Sequence, residues 1–564
     1  MRIRSQLLTT VLLILIALSM SIVVGAQDDM GEMVEPIVVL SNTQAEDPIE
    51  FESTRLLVEN MRQLGLEVEH RAIPWAQYSD IVWFQRLEEP EALGGSGWQM
   101  TAWRMVARPE RMDPDEFVFN LFHSSTAQDG YNFVGYNNPE YDELAEAQRG
   151  ETDPEARREL IYDAQEIIAN DVPYVYIAHP SLPHLVRTDV WDEASIVDAQ
   201  GIGVQNFWTW IGMTPSGDQP DIITNTADDL LAINPLYLAG DAPSRLTELI
   251  WDRVMRIGPD GLAQPWAGES VEWEDDVTVL VTLREGMTWH DGNPVTAEDV
   301  KFSFEAPNSG EAPMYAPFTR RITDIEIVDD LTLRFTLNEP WVAFEVASLA
   351  KVNIIPKHIW EPIIDDLLGQ EDANAESLTG SDPETKIGSG PFQYVDWQEG
   401  EIAILEAYAN HFSPPQAARF IMKILPNMES ALGQIQTGEL NFLREWEGDS
   451  AILSEVAESD PGITLFASPD LGFRFFAFNT RFAPFDNTVL RQAIAQVVPK
   501  QSIIDNIFKG FGVPADSYVS VAIDYWHNPE LPQYEYNVEA ARQSLADAGF
   551  TWDDDGRLHY PAGE

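Results

Sequence analysis

LREGMTWHDGNPVTAEDVKFSF, residues Leu283 to Phe304, holds the end of a strand, a tight turn and the start of a capped helix in succession. Val277 to Leu283 (VTVLVTL) is rich in β-formers and alternates weakly, which predicts a strand. His290-Asp291-Gly292-Asn293-Pro294 gathers several kinds of turn residue, with Gly292 free to take positive φ. Thr296 then starts a helix. Its hydroxyl is placed to accept from the Asp299 N–H while the Asp299 carboxylate reaches back to the Thr296 N–H, a capping box with Asp in place of Glu. Val300, Phe302 and Phe304 follow, and Trp289 stands where strand meets turn, expected in the core. His290 is expected at the surface. None of these residues does chemistry; together they build a corner.

Outward from that corner the chain is too long for one hydrophobic core. Its 564 residues predict two or more lobes, and an apolar content of 44% with 26 Phe, 17 Trp and 16 Tyr is ample to fill them. Towards the N-terminus, Pro36–Leu40, Glu52–Leu64 and Leu66–Ala72 read as strand, helix and strand, a βαβ unit with a parallel pair. Asp153 caps a helix that runs to Ile168, with Pro154 in its first turn. Val172–Ile177 returns as a strand. Thr214–Pro220 (TPSGDQP) has the composition of a linker. Towards the C-terminus, Arg321–Leu337 reads as a hairpin, Ile387–Phe392 as a glycine-rich turn into a strand, and Phe475–Thr480 as a strand. Asn487–Val498, Lys500–Ile507 and Val538–Ala548 read as helices.

Composition removes several classes of function. The formal net charge of −59, from 93 acidic and 34 basic residues, excludes nucleic-acid binding, because a polyanion is repelled over most of the surface. The same acidity suggests adaptation to high salt, with ions screening the self-repulsion. Arg2 and Arg4, the apolar run Leu7–Val24 and the small residues Val24-Gly25-Ala26 read as a secretory signal over 1–26. Left uncleaved, a run of about 18 residues would be long enough to cross a bilayer. An exported chain, periplasmic or extracellular, is therefore expected. With no cysteine it has no disulfide and no thiol to carry a lipid. The glycine-rich turn at 387–392 lacks the ending of a phosphate loop, and Asp553–Gly556 lacks the further ligands of a calcium loop. There is no Gly-x-Ser-x-Gly elbow and no His-Glu-x-x-His. Abundant carboxylates and tryptophans leave a secreted glycoside hydrolase as a remote alternative, with no spacing that singles out a catalytic pair.

Arg284, Trp289, Asp291, Gly292, Pro294, Thr296, Ala297, Asp299 and Val300 match, in spacing and type, the most recognisable segment of the family-5 extracytoplasmic solute-binding proteins. Those are the peptide-binding components of bacterial ABC importers. Ile387–Phe392, Phe478-Asn479-Thr480, Arg491-Gln492-Ala493 and the helix Ala540–Gly549 resemble further segments of that family's first part. Asn138–Asp142 and Glu155–Ile168 resemble its closing part. The halves are exchanged, so the chain resembles a circularly permuted member. Nearby natural termini permit this, since a linker of about seven residues reaches at most about 24 Å.

The resemblance implies an α/β, two-lobed periplasmic-binding-protein fold of the large type II, cluster-C-like kind, with mixed sheets and an interlobe cleft. In this chain it implies lobe II from 27–190, a return to lobe I over 191–213, a linker at 214–220, lobe I with an extra subdomain over 221–475, and the rest of lobe II over 476–564. It implies no enzyme activity and no cofactor. The expected partners are a small-molecule or peptide ligand and a membrane permease, served by a monomer whose lobes close about strands near Arg474–Thr480 and Leu182–Trp191. Trp75, Trp103, Arg104, Tyr237 and Tyr315 are the candidate ligand contacts. Peptide binders of this type hold the peptide's amino end with an Asp three residues after the Trp that Trp103 matches, and here that position is Val106. Arg104 and Arg108 bring positive charge instead, while Asp113 and Asp115 stand on the same loop as substitutes. Peptide is the first expectation; oligosaccharide, which stacks well on Trp, is the alternative.

Overall fold

The computed structural model describes residues 30–563 apart from 107–108, 129, 218–219, 228, 231, 238–240, 310–314, 368–381 and 447. The N-terminal signal reading and Arg108 therefore lie outside the described residues. The predicted βαβ unit forms: Ile37–Asn42 and Val68–Ile73 are parallel, joined by the helix Pro48–Gln63. Met100–Met105 lies parallel on the other side of Ile37–Asn42. Phe473–Phe478 then adds antiparallel to it, and Tyr174–Arg187 antiparallel to that in turn. One hydrophobic core covers each face of this sheet. Leu57, Met61, Phe476, Phe478, Ile494 and Leu545 belong to one, and Trp103, Phe122, Tyr174, Phe473 and Phe475 to the other.

A second lobe holds the largest core, built around two four-stranded sheets. Gly268–Asp275, Thr278–Leu283, Ile322–Asp329 and Thr332–Leu337 make one, all antiparallel. Phe392–Gln398, Ile402–Ala407, Arg419–Ile424 and Asp221–Thr226 make the other, whose last pair is parallel. The corner is built much as its sequence predicts. Trp289 is fully buried, and the Asp299 carboxylate accepts from both Thr296 N–H and Thr296 Oγ1 at 2.9 Å. Both halves of the predicted capping box form, the hydroxyl taking the Asp299 N–H while donating its own proton to the carboxylate. The other Asp299 oxygen accepts from Lys357 N–H at 3.0 Å, at the start of the helix Lys357–Leu367, so one carboxylate serves two helix starts.

His290 is not a surface residue. Its Nε2 donates to Gly390 O at 3.0 Å and its Nδ1 accepts from Gly388 N–H at 3.2 Å, tying the corner to the glycine-rich turn. Burial lowers its pKa to about 4, so it holds these bonds as a neutral ring. Gly388 and Gly390 are required there, because a Cβ at either would run into the Ile250 carbonyl. Thr214–Ser216, part of the expected linker, is tied down by Asp192 N–H to Thr214 O (2.9 Å) and Ser216 N–H to Val190 O (2.8 Å).

The lobes are joined by the chain at 179–182 and 470–472. The strand predicted to end at Ile177 continues through Pro180 and Pro183 to Arg187. Its first half pairs with Phe473–Phe478, and its second half with Ile463–Pro469 in the other lobe. Two prolines argue against a central strand, yet here they fall at the crossing, where the ladder changes partner. Asp470 N–H donates to Pro180 O at 2.9 Å, and His179 Nδ1 donates to Gly472 O at 2.9 Å. The hinge expected near Arg474–Thr480 thus lies a few residues too late, since Arg474–Ala477 are strand residues paired on both sides.

Candidate ligand-binding site

Parallel strands converge their carboxyl ends on one edge of a sheet, and in open α/β sheets that edge is where ligands sit. Here the ends of Ile37–Asn42, Val68–Ile73 and Met100–Met105 meet the start of Phe473–Phe478, beside the crossing between lobes. Trp75 opens the helix Trp75–Phe84 at that edge, its N–H donating to the Glu46 carboxylate at 3.2 Å. Its ring lies 5.2 Å from that of Trp103. Trp83 follows at 5.8 Å from Trp103, and Tyr131 edge-on at 5.8 Å from Trp83. Trp103 is enclosed within this row and Trp83 half-buried, while the ends face solvent, with Trp75 49% exposed and Tyr131 43%.

Arg104 points to the opposite face, as alternation along a strand requires. It stands directly across from Arg474, a like-charge pairing that is unfavourable unless a counter-charge is shared. Asp47 supplies it, accepting from Arg474 Nη1 at 2.8 Å and lying 3.5 Å from Arg104 Nη1. Asp47 also caps the helix Pro48–Gln63 by accepting from Glu50 N–H. Beside it the Glu50 carboxylate accepts from Asn42 N–H, and burial raises its pKa to about 7.

Tyr237 and Tyr315 sit in the other lobe. Tyr315 is buried in its core, where Asn353 Nδ2 donates to Tyr315 Oη at 3.2 Å and to Pro235 O at 3.0 Å, which brings the two tyrosine segments together. Val106 is 46% exposed. Asp113 and Asp115 do not replace the missing carboxylate. Asp113 is held by Arg157 through two bonds of 2.6 and 2.7 Å, both side chains being buried, and Asp115 by Arg149 at 2.9 Å and Gln148 at 2.6 Å.

A cavity of about 540 Å³ lies at the exposed end of the aromatic row, beside Trp83, Phe84, Leu87 and Tyr131. A second, of about 300 Å³, lies between the lobes. One lobe contributes Met112, Asp113, Arg157 and Trp526 to the second cavity, the other Leu262, Trp273, Val342 and Glu345. The lobes touch around it. Val342 N–H donates to Arg149 O at 3.1 Å, and the hairpin Met255–Ile257/Ala263–Pro265 lays Ile257 and Leu262 against the core that holds Trp103. None of the five sequence candidates lines this cavity. Its residues were missed because one to four positions from each of six distant segments meet there, each an ordinary core or surface residue in its own stretch.

A fold of two lobes joined by two crossings, with a cavity between them, is that of a solute-binding protein. Residues 263–562 match the bacterial extracellular solute-binding proteins, family 5 (middle region), and the chain belongs to that family. It is 26% identical over 338 residues to the oligopeptide-binding protein AppA of Bacillus subtilis, covering 58% of this chain and 59% of that one. It is 28% identical over 356 residues to heme-binding protein A of Haemophilus influenzae (58% and 61%), and 26% over 364 residues to the dipeptide-binding protein of Escherichia coli (60% and 62%). The chain thus spans about three fifths of the length of these relatives. The solved structure of Bacillus subtilis AppA with a nonapeptide aligns at 22% identity and a TM-score of 0.43, over 61% of this chain and 67% of that one. Among the described residues no helix is long and apolar enough to cross a membrane.

Proposed function

We propose that this chain captures a peptide or similar small solute between its lobes and delivers it to an ABC importer permease from outside the cytoplasm. The observation that carries this reading is the interlobe cavity, walled from both lobes and lying beyond a connection of only two strand crossings. Such a connection lets rigid lobes swing, and a ligand that touches both walls stabilises the closed arrangement by its extra contacts. Relatives named for oligopeptide, dipeptide, glutathione and heme binding agree on the role and differ on the ligand. The exposed end of the aromatic row at Trp75 favours a second reading, in which a sugar ring stacks there and the solute is an oligosaccharide.

The exchanged order of family segments is read as a circular permutation closed within a monomer. The single sheet built from both Ile37–Asn42 and Phe473–Phe478 supports closure within one chain. A test of the function is tryptophan fluorescence with libraries of short peptides and of oligosaccharides, since Trp273 and Trp526 line the cavity. Saturable one-to-one binding with a fall in radius of gyration by X-ray scattering is expected. No response to either library at millimolar concentration refutes capture.

A further inference from the structure

We propose that Glu345 is the group in the interlobe cavity that reads a positively charged amino group on the ligand, with aromatic rings beside it. This rests on the interlobe cavity being the ligand site. The other charges on the cavity wall are accounted for within the protein. Asp113 and Arg157 neutralise one another through two short bonds, and Glu151, which like Glu345 holds one N–H (from Asp153), makes that bond at an exposed position where water solvates its charge. Glu345 differs. One of its oxygens accepts from Trp273 Nε1 at 2.8 Å, and among the described residues no Lys, Arg or His lies within ion-pair distance of it.

Leaving a half-buried carboxylate without a counter-ion is unfavourable, and a cation delivered into the cavity removes that cost. Burial and the nearby Asp113 charge raise its pKa, while the Trp273 bond and Arg157 lower it. The remaining walls suit a cation carried on an apolar body. Trp273, Tyr525 and Trp526 present rings, whose faces attract ammonium groups, and Met112, Leu262 and Val346 present aliphatic surface. Glu345 also opens the one-turn π-helix Glu345–Leu349, an irregularity that recurs at functional sites because it redirects side chains.

The experiment is titration calorimetry of the full chain and of Glu345→Gln with two matched pairs: the dipeptide Phe-Ala against its N-acetyl form, and phenethylamine against N-acetylphenethylamine. Gln keeps an acceptor for Trp273, so the fold and melting temperature should hold. The wild type should prefer the ammonium member of at least one pair by about tenfold or more. Glu345→Gln should lose that preference while its affinity for the acetylated member is unchanged. Absence of any ammonium preference in both pairs overturns the proposal, as does a loss in Glu345→Gln that is equal for both members. A preference seen with phenethylamine but no binding of Phe-Ala leaves the assignment of Glu345 standing and counts against peptide as the solute.

Discussion

Replacing Asp113 with Ala should destabilise the protein by about 3–5 kcal/mol, because it strands Arg157 as an unpaired charge in a buried site. Arg157 is buried by the cavity wall, its guanidinium lying 5.0 Å from the Trp526 ring, with Gln148 accepting at 3.0 Å as its remaining polar side-chain partner. A side chain so enclosed has little route to solvent, so most of the desolvation penalty persists in the variant. The paired replacement Asp113→Leu with Arg157→Met removes both charges. It should fall within about 2 kcal/mol of the wild type in either direction, since buried pairs often do no better than apolar residues of similar volume. Urea denaturation followed by far-ultraviolet circular dichroism measures both. With two lobes the analysis takes the first transition, since a single two-state free energy is not defined for such a chain. If Asp113→Ala stays within about 1 kcal/mol of the wild type, Arg157 is free to leave the wall. The rigid, self-neutralised surface on which the reading of Glu345 depends would then be wrong.

Trp289→Ala should cost about 3–5 kcal/mol by emptying the fully buried corner, measured by the same denaturation. Asp470 gives a pH dependence. Burial at the crossing raises its pKa from 3.8 to about 7, against the pull of the Gly472 N–H and Arg474. A folded pKa above the unfolded one means its contribution is fully present below pH about 4 and is lost as pH rises towards about 7. Asp470→Asn should therefore flatten the fall in stability between about pH 4 and about pH 7, while a slope identical to the wild type would assign that fall elsewhere, Glu50 being the other carboxyl raised to about 7. The charge of −59 predicts a melting temperature that climbs with potassium chloride from dilute to molar concentration; a flat profile excludes salt adaptation.

Much of the fold was legible because local chemistry and global structure agree. Asp153 and Asn487 each accept from backbone N–H groups at the start of the helix they were read to open, and Asn138 and Asn537 do the same for two more helices. The βαβ unit and the 321–337 hairpin form because their apolar periodicity admits one buried face. The crossing strand was not legible, and the reason is physical. Pro180 and Pro183 remove ladder donors, so sequence reasoning ends the strand before them. In the fold Pro180 sits where the strand leaves one partner for another, and Pro183 just beyond it, opposite Ala467. His290 misled for a related reason: a turn motif signals exposure, whereas this turn is covered by another, at 388–390, about a hundred residues away.

The site divides along the same line. Trp75 and Trp103 were candidates through the resemblance, and the structure sets them side by side because Val68–Ile73 and Met100–Met105, both parallel to Ile37–Asn42, deliver their ends to one edge. Arg104, beside Trp103 in sequence, was grouped with it, but period-two alternation sends it to the far face, where it shares Asp47 with Arg474. Adjacent residues on a strand are therefore the poorest candidates for one subsite, and residues two apart the better ones. Glu345 had no such signal. In sequence it is one of 93 acidic residues, and what distinguishes it is a half-buried place with no ion-pair partner among the described residues. An absence of that kind exists only once Trp273, Asp113 and Arg157 have been brought around it from other segments. In a chain this acidic, the informative carboxylates are those the fold encloses without a counter-charge, and only the assembled structure can separate them from the solvated majority.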